Sequence, residues 1–349
     1  MMRKYLMIGD THCGLRQDNP WNEENLYNVF VQIVEHCKAN GITEAFHAGD
    51  FFDVRKATTQ TTMKFIRERI VPLLEEAGLH IYVLVGNHDC QFKDKIRPNS
   101  PREILDQYDC FTVVDEPMTV NLDTSPLQSI DLIPWICQEN TQQIFDFIKK
   151  SKSQYCLGHF ELSGYYFYKN SKADHGLEPD FLKKYDIVYS GHYHHANEGA
   201  NVFYIGTPLT MSANDEDETR GFYELSYGDG KRELTFIANP VCHHRRITYP
   251  DQKDVDVADY KNCSVRLIVR EVDNDLPKFQ TKLEETVYEL NIVDRVITDS
   301  EVDTDFEIKS VSGLISEYIN NMQITPEEKT EVSAIMSALY AEVTSNGNS

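Results

Sequence analysis

The feature that most constrains this chain is a pattern in its first 210 residues, where short apolar runs end at a glycine and polar side chains follow. Helical segments separate these runs, and strand–helix–strand order is typical of an α/β layered fold. Open α/β sheets bind ligands at the carboxyl ends of their strands, so we expect the polar side chains to converge on one site. Five junctions carry Asp, Asn or His after the glycine: Gly9-Asp10-Thr11-His12, Gly49-Asp50, Gly86-Asn87-His88-Asp89, Gly158-His159 and Gly191-His192-Tyr193-His194.

Hydrophobic periodicity predicts the elements around those junctions. Apolar positions at helical spacing predict one helix through Leu26 and Cys37 that ends at Gly41, and a second over 63–77 that ends at Gly78. Pro72 lies inside the second helix and should kink or split it, because proline cannot donate the helical hydrogen bond. Runs of strand length occupy residues 5–8, 45–47, 81–85, 130–133, 155–157, 187–189 and 202–205.

The pattern changes after residue 250. Residues 264–272 and 292–297 have the composition of strands, and residues 276–290 have helical spacing between them. This order predicts a small βαβ or α+β unit.

The last part of the chain is acidic. Residues 299–307 are charged and aperiodic, which indicates a linker, and two helices are predicted after it, over 311–321 and 327–343. Each of these helices has an apolar stripe that the pair cannot bury by itself, so we expect them to dock on another surface. The predicted domains are 1–250, 251–298 and 299–349.

Charge and cysteine content exclude several classes of protein. The chain has 56 Asp+Glu and 34 Lys+Arg, a formal net charge of -22, so it should repel nucleic acid unless cations or a partner intervene. Its 8 cysteines lie singly, which fits reduced thiols and argues against a disulfide framework or a zinc ribbon. No apolar run approaches the ~18 residues of a membrane span or has the pattern of a signal peptide. We expect a cytoplasmic protein.

The five junctions supply donors that suit divalent metal ions. Asp10 and His12, like His192 and His194, are two residues apart and project to the same side of an extended chain, so each pair can chelate. Carboxylate, amide and imidazole donors without a thiolate suit Mn²⁺, Fe²⁺ or Zn²⁺ and argue against a structural zinc. The set is too large for one tetrahedral ion and suits two ions that share a carboxylate.

Taken together, the D-x-H, G-D, G-N-H-D, G-H and G-H-x-H motifs, in this order, resemble those of the calcineurin-like metallophosphoesterases. Within that superfamily the chain is similar to nuclease subunits of SbcCD-type double-strand-break repair complexes, and most of all to the recombination endonuclease subunits of T-even bacteriophages. The closer match rests on residues 49–56, 131–135, 175–183 and 204–208. The resemblance implies an α/β fold, a four-layer α/β/β/α sandwich with a small α+β capping domain and a C-terminal helical pair.

The resemblance also implies the metals and their ligands. Two divalent ions are expected, Mn²⁺ before Mg²⁺, Fe²⁺ or Zn²⁺. The ligands are expected in two sets and one bridge: Asp10, His12 and His194 for one ion, Asn87, His159 and His192 for the other, and Asp50 between them.

Two further motif residues are expected to be catalytic. His88 would protonate the leaving 3′ oxygen, and Asp89 would orient the His88 ring. Many cellular relatives have a histidine at the position of Asp53, so a phosphate contact there is not expected to transfer. His195 follows a metal-ligand position directly, and strand alternation should point it away from the ions.

The activity implied by the resemblance is a 3′–5′ exonuclease on duplex DNA ends and a single-strand endonuclease, working as a homodimer with an SMC-like (SbcC-type) ATPase in recombination and break repair. Residues 1–250 would be the nuclease domain, 251–298 the DNA-binding cap, and 299–349 the segment that docks on the ATPase, in the host cytoplasm. The alternatives are a phosphatase or small-molecule phosphodiesterase of the same superfamily, and a tethering subunit with a silent metal site, which the intact ligand set disfavours.

Several side chains near the motifs have two interpretations. Residues 165–168 are aromatic and either stack on a DNA end or pack a long loop, and residues 243–246 either bind phosphate or form a solvated turn. His47 lies in a strand-like run, which favours a core position. The best candidates for phosphate contacts are Arg55, Lys56, Lys93, Lys95 and Arg97.

Overall fold

The computed structural model describes residues 3–122, 128–168, 171–228 and 231–294, together with Lys329 and Val332. The chain divides into two units, Met1–Arg295 and Val296–Ser349. The predicted acidic linker and the two helices after it lie outside the described residues, apart from those two positions. No helix in the described part of the chain has the length and apolar composition needed to cross a membrane.

The strands and helices alternate through most of the first unit. The helices are α1 (Pro20–Asn40), α2 (Gln60–Phe65), α3 (Val71–Ala77), α4 (Ser100–Ile104), α5 (Thr141–Lys150) and α6 (Leu276–Glu284). The strands are β1 (Arg3–Ile8), β2 (Glu44–His47), β3 (His80–Leu84), β4 (Phe111–Val114), β5 (Met118–Asn121), β6 (Ser129–Ile133), β7 (Tyr155–His159), β8 (Tyr166–Tyr168), β9 (Ser171–Lys172), β10 (Ile187–Gly191), β11 (Asn197–Gly199), β12 (Val202–Tyr204), β13 (Gly221–Gly228), β14 (Lys231–Ala238), β15 (His244–Tyr249), β16 (Ser264–Val269) and β17 (Glu289–Asp294).

Two six-stranded sheets form the centre of the molecule. Their strand orders are β14-β13-β1-β2-β3-β4 and β11-β12-β10-β7-β6-β5. Within the first, β1 to β4 run parallel, and within the second, β6, β7, β10 and β12 run parallel. Parallel neighbours end at the same edge of a sheet, so the loops after β1, β2, β3, β7 and β10 can meet.

Apolar side chains fill three layers of packing around these sheets. Met7 and Phe46 of the first sheet pack with Leu157 of the second in one buried cluster between them. On the other side of the first sheet lies a cluster that includes α1, and the second sheet has its own cluster with α5. The order helix, sheet, sheet, helix confirms the predicted four-layer α/β/β/α sandwich.

Helix α1 begins and ends as the sequence indicates. The Asn19 side chain caps its first turn by accepting the Trp21 N–H at 2.9 Å, and Pro20 occupies the first position. The helix ends at Gly41, which adopts a left-handed conformation with φ 66°. Its predicted apolar positions, Leu26 and Cys37 among them, are buried.

The second predicted helix is broken near Pro72, as expected. Helix α2 gives way to a wider π-type turn at Ile66–Ile70, and α3 then starts with Pro72 in its first turn and ends at Gly78. A proline is tolerated at a helix start because the first turn has no N–H to donate within the helix.

The small α+β part predicted after residue 250 lies within the first unit. It is a parallel three-stranded sheet, in the order β15-β16-β17, with α6 packed on it. Helix α6 is shorter than predicted, since the chain from Glu289 onward pairs with β16 as a strand. Strand β15 precedes residue 250, so the small sheet begins within the segment assigned from the sequence to the first domain. The functions assigned to the three segments remain predictions.

Candidate metal centre

The five glycine junctions meet at one edge of the sandwich, and two groups of potential ligands form there. The first donor group is Asp10, His12 and His194, whose ligand atoms lie within 4.8 Å of one another. The Nε2 atoms of His12 and His194 are 3.1 Å apart, and the Nε2 atom of His194 is 4.0 Å from Oδ2 of Asp10. A carboxylate and two imidazoles that point at one volume are a typical beginning of a metal site.

The second donor group is Asp50, Asn87, His159 and His192. The Oδ1 atom of Asn87 lies 2.9 Å from Nε2 of His159 and 2.8 Å from Nδ1 of His192. The Nε2 atom of His159 also lies 3.3 Å from Oδ2 of Asp50.

The orientation of the His159 ring is set by the main chain. Its Nδ1 atom lies 2.8 Å from the carbonyl oxygen of Ala48, to which it can donate. A proton held on Nδ1 leaves the Nε2 lone pair directed into the second donor group, which is how metal-ligating histidines are oriented.

Asp50 faces both donor groups. Burial opposes its ionisation, but the imidazoles of His159 and His12, one from each group, together lower the pKa of Asp50. The backbone of Asp50 has φ 49°. A Cβ at position 86 would lie 2.2 Å from Oδ1 of Asp50, so only glycine fits at position 86. Asp50 occupies the position expected of a shared ligand.

The charges at this edge fit two divalent cations. Asp10, Asp50 and Asp89 are all at most 2% exposed. Burial raises the pKa of Asp10 to about 7, and burial together with the charge of Asp50 raises the pKa of Asp89 to about 7. Burial would lower the pKa of His159, but Asp50 and Asp10 raise it to about 9. Because buried carboxylates are costly without compensating charge, and because the donors are oxygen and nitrogen atoms, the residues fit the two ions that the sequence predicts.

His88 lies beside the first donor group. Its ring centroid is 5.0 Å from that of His12, with the planes nearly perpendicular. Its Nδ1 atom lies 2.8 Å from the carbonyl oxygen of Asp53, and the backbone N–H of His88 donates to Oδ1 of Asp50 at 2.7 Å. The predicted proton donor is therefore half-buried and anchored next to the candidate ligands.

Asp89 does not orient the His88 ring, and that prediction is wrong. The carboxylate of Asp89 is fully buried and accepts the backbone N–H groups of Phe52 at 2.9 Å and of Gly86 at 2.8 Å. A buried carboxylate takes the donors that the main chain offers, and here these belong to the loops that carry Asp50 and Asn87. Asp89 ties those two loops together, and the Asp53 carbonyl contacts the His88 ring instead.

Three other side chains discussed from the sequence have clear positions. His47 is buried, its Nε2 atom lies 3.0 Å from Oγ1 of Thr11, and burial lowers its pKa to about 3, so it belongs to the core as predicted. His195 contacts Glu218 at 2.9 Å and lies outside both donor groups. The Oδ1 atom of Asp53 lies 3.2 Å from Nδ1 of His12, on the side of that ring opposite His194.

Three residues near the ligands were not identified from the sequence. Glu161 lies 3.8 Å from Nε2 of His192, and the ring of Trp135 packs on the same imidazole with centroids 5.5 Å apart. The guanidinium of Arg220 donates to the backbone carbonyl of His194. Only Glu161 had a signal, because it follows His159 by two residues.

The comparisons with known proteins agree with this geometry. Residues 3–196 match the calcineurin-like phosphoesterase family. The chain is 44% identical over 347 residues to exonuclease subunit 1 of Enterobacteria phage T4, covering 98% of this chain and 99% of that protein. It is 28% identical over 232 residues to the DNA double-strand break repair protein Mre11 of Sulfurisphaera tokodaii, covering 64% of this chain and 57% of that protein. With this match and the two donor groups at the predicted edge, the chain belongs to the calcineurin-like phosphoesterase family.

Proposed function

We propose that the chain is a metal-dependent DNA nuclease, a 3′–5′ exonuclease on duplex ends and an endonuclease on single strands, in recombination and double-strand-break processing. The observation that carries the proposal is the pair of donor groups at one edge, with Asp50 influenced by imidazoles of both and His88 beside the first. Its relatives carry the names of an exonuclease subunit and of a DNA break repair protein, which supports DNA as the substrate.

Each donor group would hold one ion. Two divalent ions supply Lewis-acid stabilisation of the phosphodiester and an activated water at neutral pH. Asp10, His12 and His194 would hold one of them, Asn87, His159 and His192 the other, and Asp50 both. We favour Mn²⁺ because the family resemblance implies it, and its coordination is compatible with the mixed oxygen and nitrogen donors, as is that of Fe²⁺ and Zn²⁺.

His88 would supply the proton that the leaving 3′ oxygen needs. When the ring is protonated, Nδ1–H donates to the carbonyl of Asp53, and Nε2–H is the proton that remains for transfer. The contact with this main-chain carbonyl would fix the direction of that proton.

A group of cations that follows Asp50 and Asn87 in the sequence, here called the cation cluster, supports a nucleic-acid substrate. Arg55, Lys56, Lys93 and Lys95 follow the loops of Asp50 and Asn87, and among the described residues none of them forms an ion pair. Phe92, 46% exposed, lies among them with the Lys95 ammonium 6.0 Å from its ring. In a chain with a net charge of -22, such unmatched cations suit the phosphates of a bound strand. Arg97, the fifth candidate for a phosphate contact, does not belong to this group, because its guanidinium donates to the buried Asp115 at 2.6 Å.

The acidic C-terminal segment 299–349 would dock on an SMC-like ATPase, which would provide much of the DNA affinity, and residues 251–298 would cap the site. We further propose a homodimer that works in the host cytoplasm. On this basis the isolated chain should bind DNA weakly and with strong salt dependence.

The test is release of nucleotides from a linear duplex in Mn²⁺, with the full-length chain. We expect the parent to cleave and His88→Ala to be inactive, while His80→Ala, a matched change of a histidine on β3 away from the site, keeps full activity. If the parent hydrolyses an aryl phosphodiester but leaves DNA intact, the metal centre is correct and the substrate is wrong. If His88→Ala cleaves like the parent, the proton-donor assignment is wrong.

A further inference from the structure

The two ring nitrogens of His192 have different surroundings. Its Nδ1 atom lies 2.8 Å from Oδ1 of Asn87, inside the second donor group. Its Nε2 atom lies on the other side of the ring, 3.8 Å from Oε1 of Glu161. The Trp135 ring packs on the imidazole with centroids 5.5 Å apart, and 16% of the side chain is exposed. Nδ1 is therefore the ring nitrogen that faces the second donor group.

Ligation through Nδ1 requires the proton of the neutral ring to be on Nε2. A carboxylate that faces Nε2 favours this tautomer and makes Nδ1 a stronger ligand. The 3.8 Å separation is longer than a hydrogen bond, and a shift of about 1 Å in a half-exposed glutamate would complete one. Hydrogen bonds of this kind are often long until the ligand they serve is in place.

Glu161 is itself held from outside the metal centre. The Nε2 atom of His175 lies 3.2 Å from Oε1 of Glu161, the same oxygen that faces His192. The next residues of that loop pack on the Glu161 backbone, because the N–H of Leu177 donates to the Glu161 carbonyl at 2.8 Å.

Gly176 makes this close packing possible. Its φ is 99°, and a Cβ there would lie 2.5 Å from the Glu161 carbonyl oxygen, which no other residue could accommodate without moving the backbone. The loop 175–177 thus fixes both the main chain and the carboxylate of Glu161.

We propose that Glu161 is a positioning residue for the second donor group, holding the proton on Nε2 of His192 and so presenting Nδ1 to the metal, with His175 and Gly176 fixing its place. This inference rests on the proposed function, since it assumes that the second donor group binds an ion. In this role Glu161 acts through His192 and is not itself a ligand.

The test is Mn²⁺ binding to the full-length protein, by calorimetry for the affinity of each ion and by electron paramagnetic resonance for the coupled signal of a close Mn²⁺ pair. We expect Glu161→Ala to weaken one of the two ions by about 10–100-fold and to lose the coupled signal at limiting Mn²⁺. Glu161→Gln should lose less Mn²⁺ affinity than Glu161→Ala, because the amide oxygen of the new side chain can still accept the Nε2–H of His192. Glu178→Gln, a change of a nearby exposed glutamate bonded to Ser163, should bind Mn²⁺ like the parent.

Parental affinity for both ions in Glu161→Ala would overturn the proposal. If that variant fails to fold, Glu161→Leu, which is similar in size and has no acceptor, decides, and an affinity equal to that of Glu178→Gln would then overturn it. Failure of the proposed function would give a different result from failure of this inference. The parent would then leave DNA intact, whether or not its Mn²⁺ affinity depends on Glu161.

Discussion

The two donor groups use similar side chains but are anchored differently. In the second donor group His159 is fully buried, and its outer nitrogen is held by the main chain at Ala48. In the first, 36% of the His194 side chain is exposed, and the outer nitrogen of His12 meets the side chain of Asp53. Asp10 and His12 of the first donor group are also buried, at 1% and 3% exposure, so His194 is the one candidate ligand of that group with substantial exposure. Because His88 lies beside this group, we expect the substrate to approach the site from the side of His194.

Asp50 faces both donor groups, so its loss should have the largest effect on Mn²⁺ binding and on activity. Asp50→Asn keeps the size of the side chain but removes the charge that faces both groups, and we expect it to bind neither Mn²⁺ ion tightly and to lose nuclease activity to background. Calorimetry with Mn²⁺ checks the stoichiometry, with Asp109→Asn, an exposed position, as the control. Two ions bound at parental affinity would show that the groups do not share this carboxylate.

The difference in enclosure can be tested by chemical rescue. His194→Ala and His159→Ala should each weaken one ion by at least about 100-fold, because each removes a direct ligand, a loss at least as large as that of an outer partner. Added imidazole should restore Mn²⁺ binding in His194→Ala, because the ring that it replaces is 36% exposed, and fail to do so in His159→Ala, because that ring is fully buried. Equal rescue of the two variants would contradict the contrast in burial.

Asp53 faces the outer ring nitrogen of His12 in the first donor group, as Glu161 faces that of His192 in the second. Asp53→Ala removes the carboxylate 3.2 Å from Nδ1 of His12, and we expect a loss of about 10–100-fold in the affinity of one ion only. The ion affected should differ from the one affected by Glu161→Ala, so the double variant should weaken both. If the two single changes weaken the same ion, the division into two groups is wrong.

The smallest expected effect belongs to the cation cluster outside both groups. Lys93→Gln should leave Mn²⁺ binding unchanged, weaken DNA binding at all sequences alike, and reduce the slope of log affinity against log salt by about 1. Lys64→Gln, on α2 and exposed, is a matched control that should keep the parental slope. An unchanged slope in Lys93→Gln would remove that lysine from the DNA-binding surface.

The convergence of the candidate ligands at one edge was predictable from the sequence because it depends on local signals. A glycine at a strand end, followed by Asp, Asn or His, specifies both the turn and the donor, and parallel strands bring such turns to one edge. The break at Pro72 and the end of α1 at Gly41 follow from single residues in the same way.

What could not be predicted depends on which distant loops meet. Strand β13 carries Glu224, a charge that argues against a buried strand until Lys4, at 2.8 Å, and His36, at 2.9 Å, are seen to pair with it. The donors to Asp89 likewise come from another loop. Helix α6 was predicted too long because its apolar spacing continues past Glu284, where pairing with β16 takes over.

The buried carboxylate of Asp89 has a consequence for the motions of the metal centre. It accepts amide hydrogens from Phe52 in one loop and from Gly86 in the other, so neither hydrogen can exchange with solvent unless that shared contact opens. The two amides should then exchange together, at a rate set by one opening event. If release of a bound ion required either loop to move, it would follow the same event, and the residence time of that ion would then depend on a local unfolding equilibrium of the protein.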